Sequence, residues 1–148
     1  MSAFQRILAC TDLSPASTQA EDLAVAMAMK YGAELSLVHV YELPSYVYTD
    51  MMYSSVDLLA PIEAHLASEL AKRLASVRSR GVECTSIFKS GFPPEEIIAA
   101  AKEINADLIV IGTHGRRGVK RVFLGSVAER VVRMSPIPVL TVRGTPPD

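Results

Sequence analysis

One stretch of the chain combines glycines with basic residues: Gly112-Thr113-His114-Gly115-Arg116-Arg117-Gly118-Val119-Lys120-Arg121-Val122-Phe123-Leu124-Gly125-Ser126. Glycine permits tight turns and lets backbone amides come close to an anion, which phosphate-binding loops require. Arg116, Arg117, Lys120 and Arg121 add four positive charges within six positions. The whole chain carries 15 Lys plus Arg against 16 Asp plus Glu, a net charge of -1, so this concentration is local. Any one of these cations reads most simply as part of a solvated loop face. Together with the glycines they read as an anion site. The stretch is not a Walker A loop, because no Gly-Lys-Ser or Gly-Lys-Thr follows at the required distance, and it is not a dinucleotide fingerprint.

Ser126 has two sound roles: its hydroxyl can meet a phosphate, or it can cap the following helix with Glu129 as the reciprocal partner. The amides of Ser126 and Val127 face an anion in either case, and the helix end adds roughly 0.3 to 1 kcal/mol when exposed. Thr113 and His114 flank the first turn, where loop amides can reach a phosphate without their side chains. A second candidate is Thr11-Asp12-Leu13-Ser14, which contains no glycine. Asp12 can accept hydrogen bonds from a nucleoside or help hold a hydrated divalent ion; its simpler alternative is capping the next helix. His39 reads as structural. These positions suggest no Ser-His-Asp set, cysteine-histidine pair or close pair of carboxylates, so the case for a dedicated enzyme is thin.

Both candidates need strands that end where they begin. Phe4–Cys10 is a short apolar run that reads as a strand, β1. Ser14 as N-cap and Pro15 at the first helical position open α1, where Ala20, Leu23, Ala24, Met27 and Ala28 share a face before Tyr31-Gly32 closes it. Glu34–Tyr41 is β2. Residues 42–56, with Pro44, Tyr46, Tyr48, Met51, Met52 and Tyr53, have no clean period and read as a long loop or lid. From Asp57, Leu58, Ile62, Leu66, Leu70, Leu74 and Val77 recur at helical spacing and define α2, which Gly81 stops. Val82–Lys89 is β3, and Gly91–Glu96 turns into α3, whose Ile97, Ile98, Ala101 and Ile104 can face a sheet. Asp107–Gly112 is a continuous apolar run typical of the centre of a parallel sheet, β4. Ser126–Met134 is a short α4 and Ile137–Val142 is β5. The alternation predicts an α/β fold, a doubly wound five-stranded parallel sheet with helices on both faces. The glycine-rich stretch then lies at the carboxyl edge of the sheet, where such folds bind ligands.

Composition narrows the classes. With 148 residues, 49% hydrophobic and 21% charged, the chain suits one globular domain over 1–148. Near neutrality gives no global attraction to nucleic acid or to anionic membrane. Cys10 and Cys84 lie in apolar strand-like runs and read as buried free thiols, in keeping with a reducing compartment. Neither a signal segment nor a window of roughly 18 apolar residues occurs, so a cytoplasmic location is expected. His39, His65 and His114 are scattered, and no zinc-type spacing is present.

The pattern Gly-x-x-Gly, nine residues, then Gly-Ser resembles the universal stress protein family, and specifically its ATP-binding branch. The resemblance runs from Phe4 to Val142. It sets Gly112, Gly115, Gly125 and Ser126 at the family's phosphate-loop positions, Asp12 at the acidic position after β1, and Val40 at the end of β2, where adenine is held. It implies sheet order 3-2-1-4-5, a homodimer, and ATP bound with Mg2+ or Mn2+, to which Asp12 is the candidate protein ligand. The candidate nucleotide contacts are Thr11, Asp12, Val40, Gly112, Thr113, His114, Gly115, Arg116, Arg117, Gly125, Ser126 and Val127. Val40 acts through its backbone, its side chain serving as a wall. The expected function is an ATP-binding stress-response protein, a nucleotide-dependent signalling or regulatory homodimer. The alternatives are a nucleotide-independent scaffold that binds a protein through the Tyr46–Tyr53 loop, and a slow ATPase. A local reason for the dimer is β5 itself: Ser135-Pro136-Ile137-Pro138 suits an edge strand, and Val139-Leu140-Thr141-Val142 is β-prone and uncharged, so a second copy can pair with it.

Overall fold

The runs of Val, Ile and Leu that read as strands pair into one parallel sheet in the computed structural model, which describes residues 3–42, 55–113 and 125–143. Among these residues the strands are β1 (Arg6–Cys10), β2 (Glu34–Tyr41), β3 (Cys84–Ser90), β4 (Leu108–Gly112) and β5 (Val139–Val142). Their order is β3-β2-β1-β4-β5, with every pairing parallel. This is the doubly wound, Rossmann-like arrangement expected. The helices are α1 (Thr18–Tyr31), α2 (Ser55–Ser79), α3 (Pro93–Glu103) and α4 (Ser126–Met134).

Each face of the sheet has its own core. Ile7, Ala9, Leu35, Leu37, Leu108 and Val110 point to the side covered by α1 and α2, meeting Ala20, Ala24, Ala28, Leu70 and Val77. Leu8, Cys10, Val38, Ile109 and Ile111 point to the other, meeting Ile97, Ala100 and Ala101 of α3 and Ala128 and Val131 of α4. Alternation along β1 and β4 therefore fills both layers, which explains why their sequences read as unbroken apolar runs.

Three local expectations change. Pro15–Ser17 forms a 3-10 turn and α1 proper begins at Thr18. Leu23 of α1 is exposed, whereas Glu21 and Val25 are buried; the small residues Ala20, Ala24 and Ala28 bring the helix close to the sheet and turn Leu23 outward. Ile62 of α2 is also exposed, so the stripe that packs begins at Leu66. Gly32 ends α1 with φ 65°, a left-handed position at which a Cβ is disfavoured. No helix among the described residues is long and apolar enough to cross a membrane.

Candidate functional site

β1 and β4 are neighbours at the centre of the sheet, with Ile7, Leu8 and Ala9 opposite Leu108, Ile109 and Val110. The winding reverses between them: β1 leads through α1 toward β2 and β3, while β4 leads through α4 to β5 on the other side. At such a reversal the connecting segments diverge and leave a crevice outside the carboxyl ends of the strands. The segments at that edge of the sheet are the turn after Cys10 and the junction formed by Gly112, Thr113, Gly125 and Ser126.

The turn after β1 is built from side chains. Thr11 prolongs the ladder, its amide donating to the Val38 carbonyl at 2.9 Å. Its carbonyl accepts Nδ1 of His39 at 2.9 Å, and the buried His39 ring lies 5.8 Å from that of Phe88, so this histidine is structural as expected. The Thr11 hydroxyl donates to Oε2 of Glu21 at 3.1 Å and accepts the Leu13 amide at 3.0 Å. Leu13 has φ 65°, a left-handed conformation that costs a non-glycine residue roughly 1 to 2 kcal/mol. Oδ1 of Asp12 accepts the Ser14 amide at 2.9 Å and also the Ser14 hydroxyl. Ser14 therefore makes no side-chain cap, contrary to expectation, because Asp12 takes its hydroxyl.

Beneath this turn lies a cluster that sequence reading missed. Oε2 of Glu21, only 5% exposed, accepts Ser17 Oγ at 2.8 Å in addition to Thr11, and forms an ion pair with Nη1 of Arg73 from α2. Nη2 of Arg73 donates to the Ser14 carbonyl at 3.0 Å. Glu21 precedes Arg73 by 52 positions, so no local pattern announces the pair; a lone glutamate on the face that also carries Ala20 and Ala24 was the available signal.

The junction after β4 is closed by backbone. The Thr113 amide donates to the Val142 carbonyl at 3.0 Å, and the Thr113 carbonyl accepts the Gly125 amide at 3.0 Å, which pins the two ends of 114–124 together. Gly125 has φ -61° and ψ 159°, open to any residue. It must be glycine for another reason: a Cβ there would lie 2.8 Å from the Thr113 carbonyl oxygen. At Gly112 an added Cβ would meet Ala20 Cβ at 3.7 Å, an ordinary contact.

Gly125 is also the N-cap of α4 and Ser126 its first residue, with no side-chain cap bond. The capping box of Ser126 with Glu129 is thus overturned: the cap position falls one residue earlier, on a residue without a hydroxyl, and the Glu129 carboxylate pairs with Arg133 at 3.3 Å. Helix geometry leaves the amides of Ser126 and Val127 without intrahelical acceptors and with the positive end of the dipole behind them. Val40 is half-buried against the core shared by α3 and α4. Thr11, Asp12, Val40, Gly112, Thr113, Gly125, Ser126 and Val127 are all at or next to strand ends or the start of α4. His114, Gly115, Arg116 and Arg117, together with Lys120, Arg121 and the Tyr46–Tyr53 segment, lie outside the described residues. Burial pushes the Cys10 thiol, next to Thr11, up to about 12 and the Cys84 thiol up to about 11, so both stay protonated and unreactive at neutral pH.

Residues 3–143 match the Universal stress protein family. The universal stress protein YxiE of Bacillus subtilis is 34% identical over 147 residues, covering 95% of this chain and 99% of the relative. Among solved structures, the universal stress protein UspA from Lactobacillus plantarum superposes with a TM-score of 0.80 at 26% identity, over 97% of this chain and 100% of the other. A universal stress protein crystallised in complex with cAMP superposes with a TM-score of 0.75 at 25% identity, again over 97% and 100%.

Proposed function

This chain belongs to the universal stress protein family, and from that premise we propose that the crevice between β1 and β4 binds ATP, with the protein acting as a stress-response regulator. The observation that carries the reading is the junction after β4: Gly125, held against the Thr113 carbonyl, caps α4 at the carboxyl edge of the sheet, after the strand that neighbours β1. Amides at a helix start favour phosphate, and Val40 supplies an apolar wall on the neighbouring strand. The similar protein crystallised with cAMP supports an adenine nucleotide as the ligand class.

Asp12 suits a Mg2+ or Mn2+ ion carried by the nucleotide. No group of three or more His, Cys, Asp or Glu that could hold a metal occurs among the described residues. Mg2+ needs few protein ligands, because it keeps several waters and is bound through one or two carboxylates plus phosphates. When bound, the ion would offset phosphate charge beside the Asp12 carboxylate. The role proposed is binding rather than turnover, in the cytoplasm, with the nucleotide state governing a homodimer.

Pairing of two copies through β5 is supported by its surroundings. Among the described residues β5 pairs with β4 on one side only, and all four of its residues are half-buried and uncharged. An uncharged edge strand of this kind invites a partner strand.

The test is mass analysis of nucleotide released from freshly purified, denatured protein, followed by calorimetric titration with ATP, ADP, AMP and cAMP with magnesium or with chelator. ATP is expected to bind most tightly with magnesium, and Asp12→Asn to reduce the magnesium effect. Equal ATP affinity with magnesium and with chelator would remove the metal. No binding of any adenine nucleotide would remove the reading and leave the scaffold alternative.

A further inference from the structure

We propose that Arg73, on α2, is a positioning residue of the crevice: through Glu21 and the Ser14 carbonyl it holds the turn that presents Asp12. The inference rests on the reading of that turn as part of the nucleotide site. In sequence Arg73 lies far from Asp12.

The geometry that carries it is the fork of one guanidinium. Nη1 of Arg73 pairs with Glu21 Oε2, while Nη2 donates to the Ser14 carbonyl at 3.0 Å. Ser17 Oγ lies 2.9 Å from the same carbonyl and 2.8 Å from Glu21 Oε2, its single proton shared between the two acceptors. Glu21 in turn accepts the Thr11 hydroxyl, and that hydroxyl accepts the Leu13 amide. The turn is therefore gripped at Thr11 and at Ser14, on either side of Asp12 and Leu13. Leu13 holds a left-handed φ of 65°, a conformation that persists in a non-glycine residue only where its surroundings over-determine it. Arg73 is the member of this cluster that comes from another part of the chain, so it couples the long helix α2 to the carboxylate orientation at the crevice. A lysine cannot do both tasks, because its single ammonium lacks the planar fork.

The competing account makes the pair a staple between α1 and α2. The two accounts separate when the charge is removed from both partners at once. Arg73→Met alone leaves Glu21 buried without its cation and endangers folding. Arg73→Met with Glu21→Gln leaves no unpaired charge and keeps a hydrogen-bonding side chain at position 21. The comparison set is native protein, Arg73→Lys and this double variant, each examined by melting temperature, by hydrogen exchange of the Leu13 and Ser14 amides without nucleotide, and by calorimetry with magnesium ATP. The double variant is expected to fold, to exchange the Leu13 and Ser14 amides at least about tenfold faster than native, and to bind ATP at least about tenfold more weakly, a factor of about 1.4 kcal/mol. Arg73→Lys should fall between them in both readouts. A folded double variant whose two amides exchange, and whose ATP affinity stands, within about twofold of native overturns the proposal. So does faster exchange spread evenly along α1 and α2, with Leu13 and Ser14 no more affected than their neighbours. If native protein binds no adenine nucleotide, the functional reading falls, and the exchange of these two amides alone then decides whether Arg73 positions the turn.

Discussion

The turn after β1 and the junction after β4 follow neighbouring parallel strands at the same edge of the sheet, yet they are held by different means. Thr11 to Ser14 contains no glycine and is bound by side chains, with Thr11, Glu21, Ser17 and Arg73 in one hydrogen-bonded cluster beneath it. Thr113 and Gly125 are joined through the backbone, the Gly125 amide donating to the Thr113 carbonyl at a separation that admits only a glycine. A side-chain cluster tolerates no loss of a polar atom, because each deletion strands a buried partner. A backbone contact tolerates no gain of volume. Glycine at Gly125 thus has a reason inside the chain itself, separate from any phosphate.

The largest effect should come from breaking the second region by volume. Gly125→Val drives a branched side chain into the Thr113 carbonyl and should cost about 3 kcal/mol or more in stability, with loss of ATP binding. Gly112→Ala, which gains only an ordinary contact, should stay within about 1 kcal/mol of native. Thermal melts of the two decide it, and equal losses would erase the distinction drawn between these glycines.

The first region should break by subtraction. Thr11→Val keeps shape but removes the hydroxyl that serves Leu13 and Glu21, and should cost about 1 to 3 kcal/mol. Denaturant unfolding measures this; a loss below about 0.5 kcal/mol would mean the cluster does not hold the turn.

The two edges of the sheet sharpen the comparison for assembly. Val139→Lys with Thr141→Lys should shift sedimentation from about twice the chain mass toward the monomer, since charge blunts a strand edge. Ser86→Lys on β3, whose edge already exposes Thr85 and Ser86, should leave the mass unchanged. A native protein that sediments as a monomer at high concentration removes the pairing through β5.

At neutral pH the smallest effect belongs to Cys10. Its pKa rises by burial from 9.0 to about 12. A group whose folded value is raised contributes stability that is fully present below the unfolded value and is lost as pH rises through the folded one. Stability should therefore be insensitive to this thiol up to about pH 9 and decline between about 9 and 12. Cys10→Ala should flatten that alkaline decline while lowering stability throughout by a cavity, and the smaller rise at Cys84, to about 11, should remain. An unchanged alkaline limb in Cys10→Ala would assign the decline elsewhere.

Much of the fold was legible because its signals are local. Asp107–Gly112 is a strand on its own composition, Leu66, Leu70 and Val77 keep a helical period, and alternation with helices dictates a parallel sheet. The placement of Asp12 and Gly125 at one edge follows from where those strands end. Strand order was different: no period encodes it, and it came through the family resemblance before the pairings bore it out. Local signals also misled where two neighbours compete for one hydroxyl or one cap. Ser14 has the chemistry of an N-cap, but Asp12 is closer in the folded turn; Ser126 has it too, but the helix begins with Ser126 itself and the cap position falls on Gly125, which lacks a hydroxyl.

What only the tertiary structure decided is the buried pair. The amino-acid sequence determined that β1 ends in a polar turn and β4 in a glycine junction, because both follow from residue types over a few positions. It did not determine that Glu21 would turn inward, since its neighbours Ala20 and Ala24 define that face only once α1 lies on the sheet. Nor did it determine that Arg73 would reach Ser14, because that contact exists only after α2 packs beside α1 and brings together groups 59 positions apart.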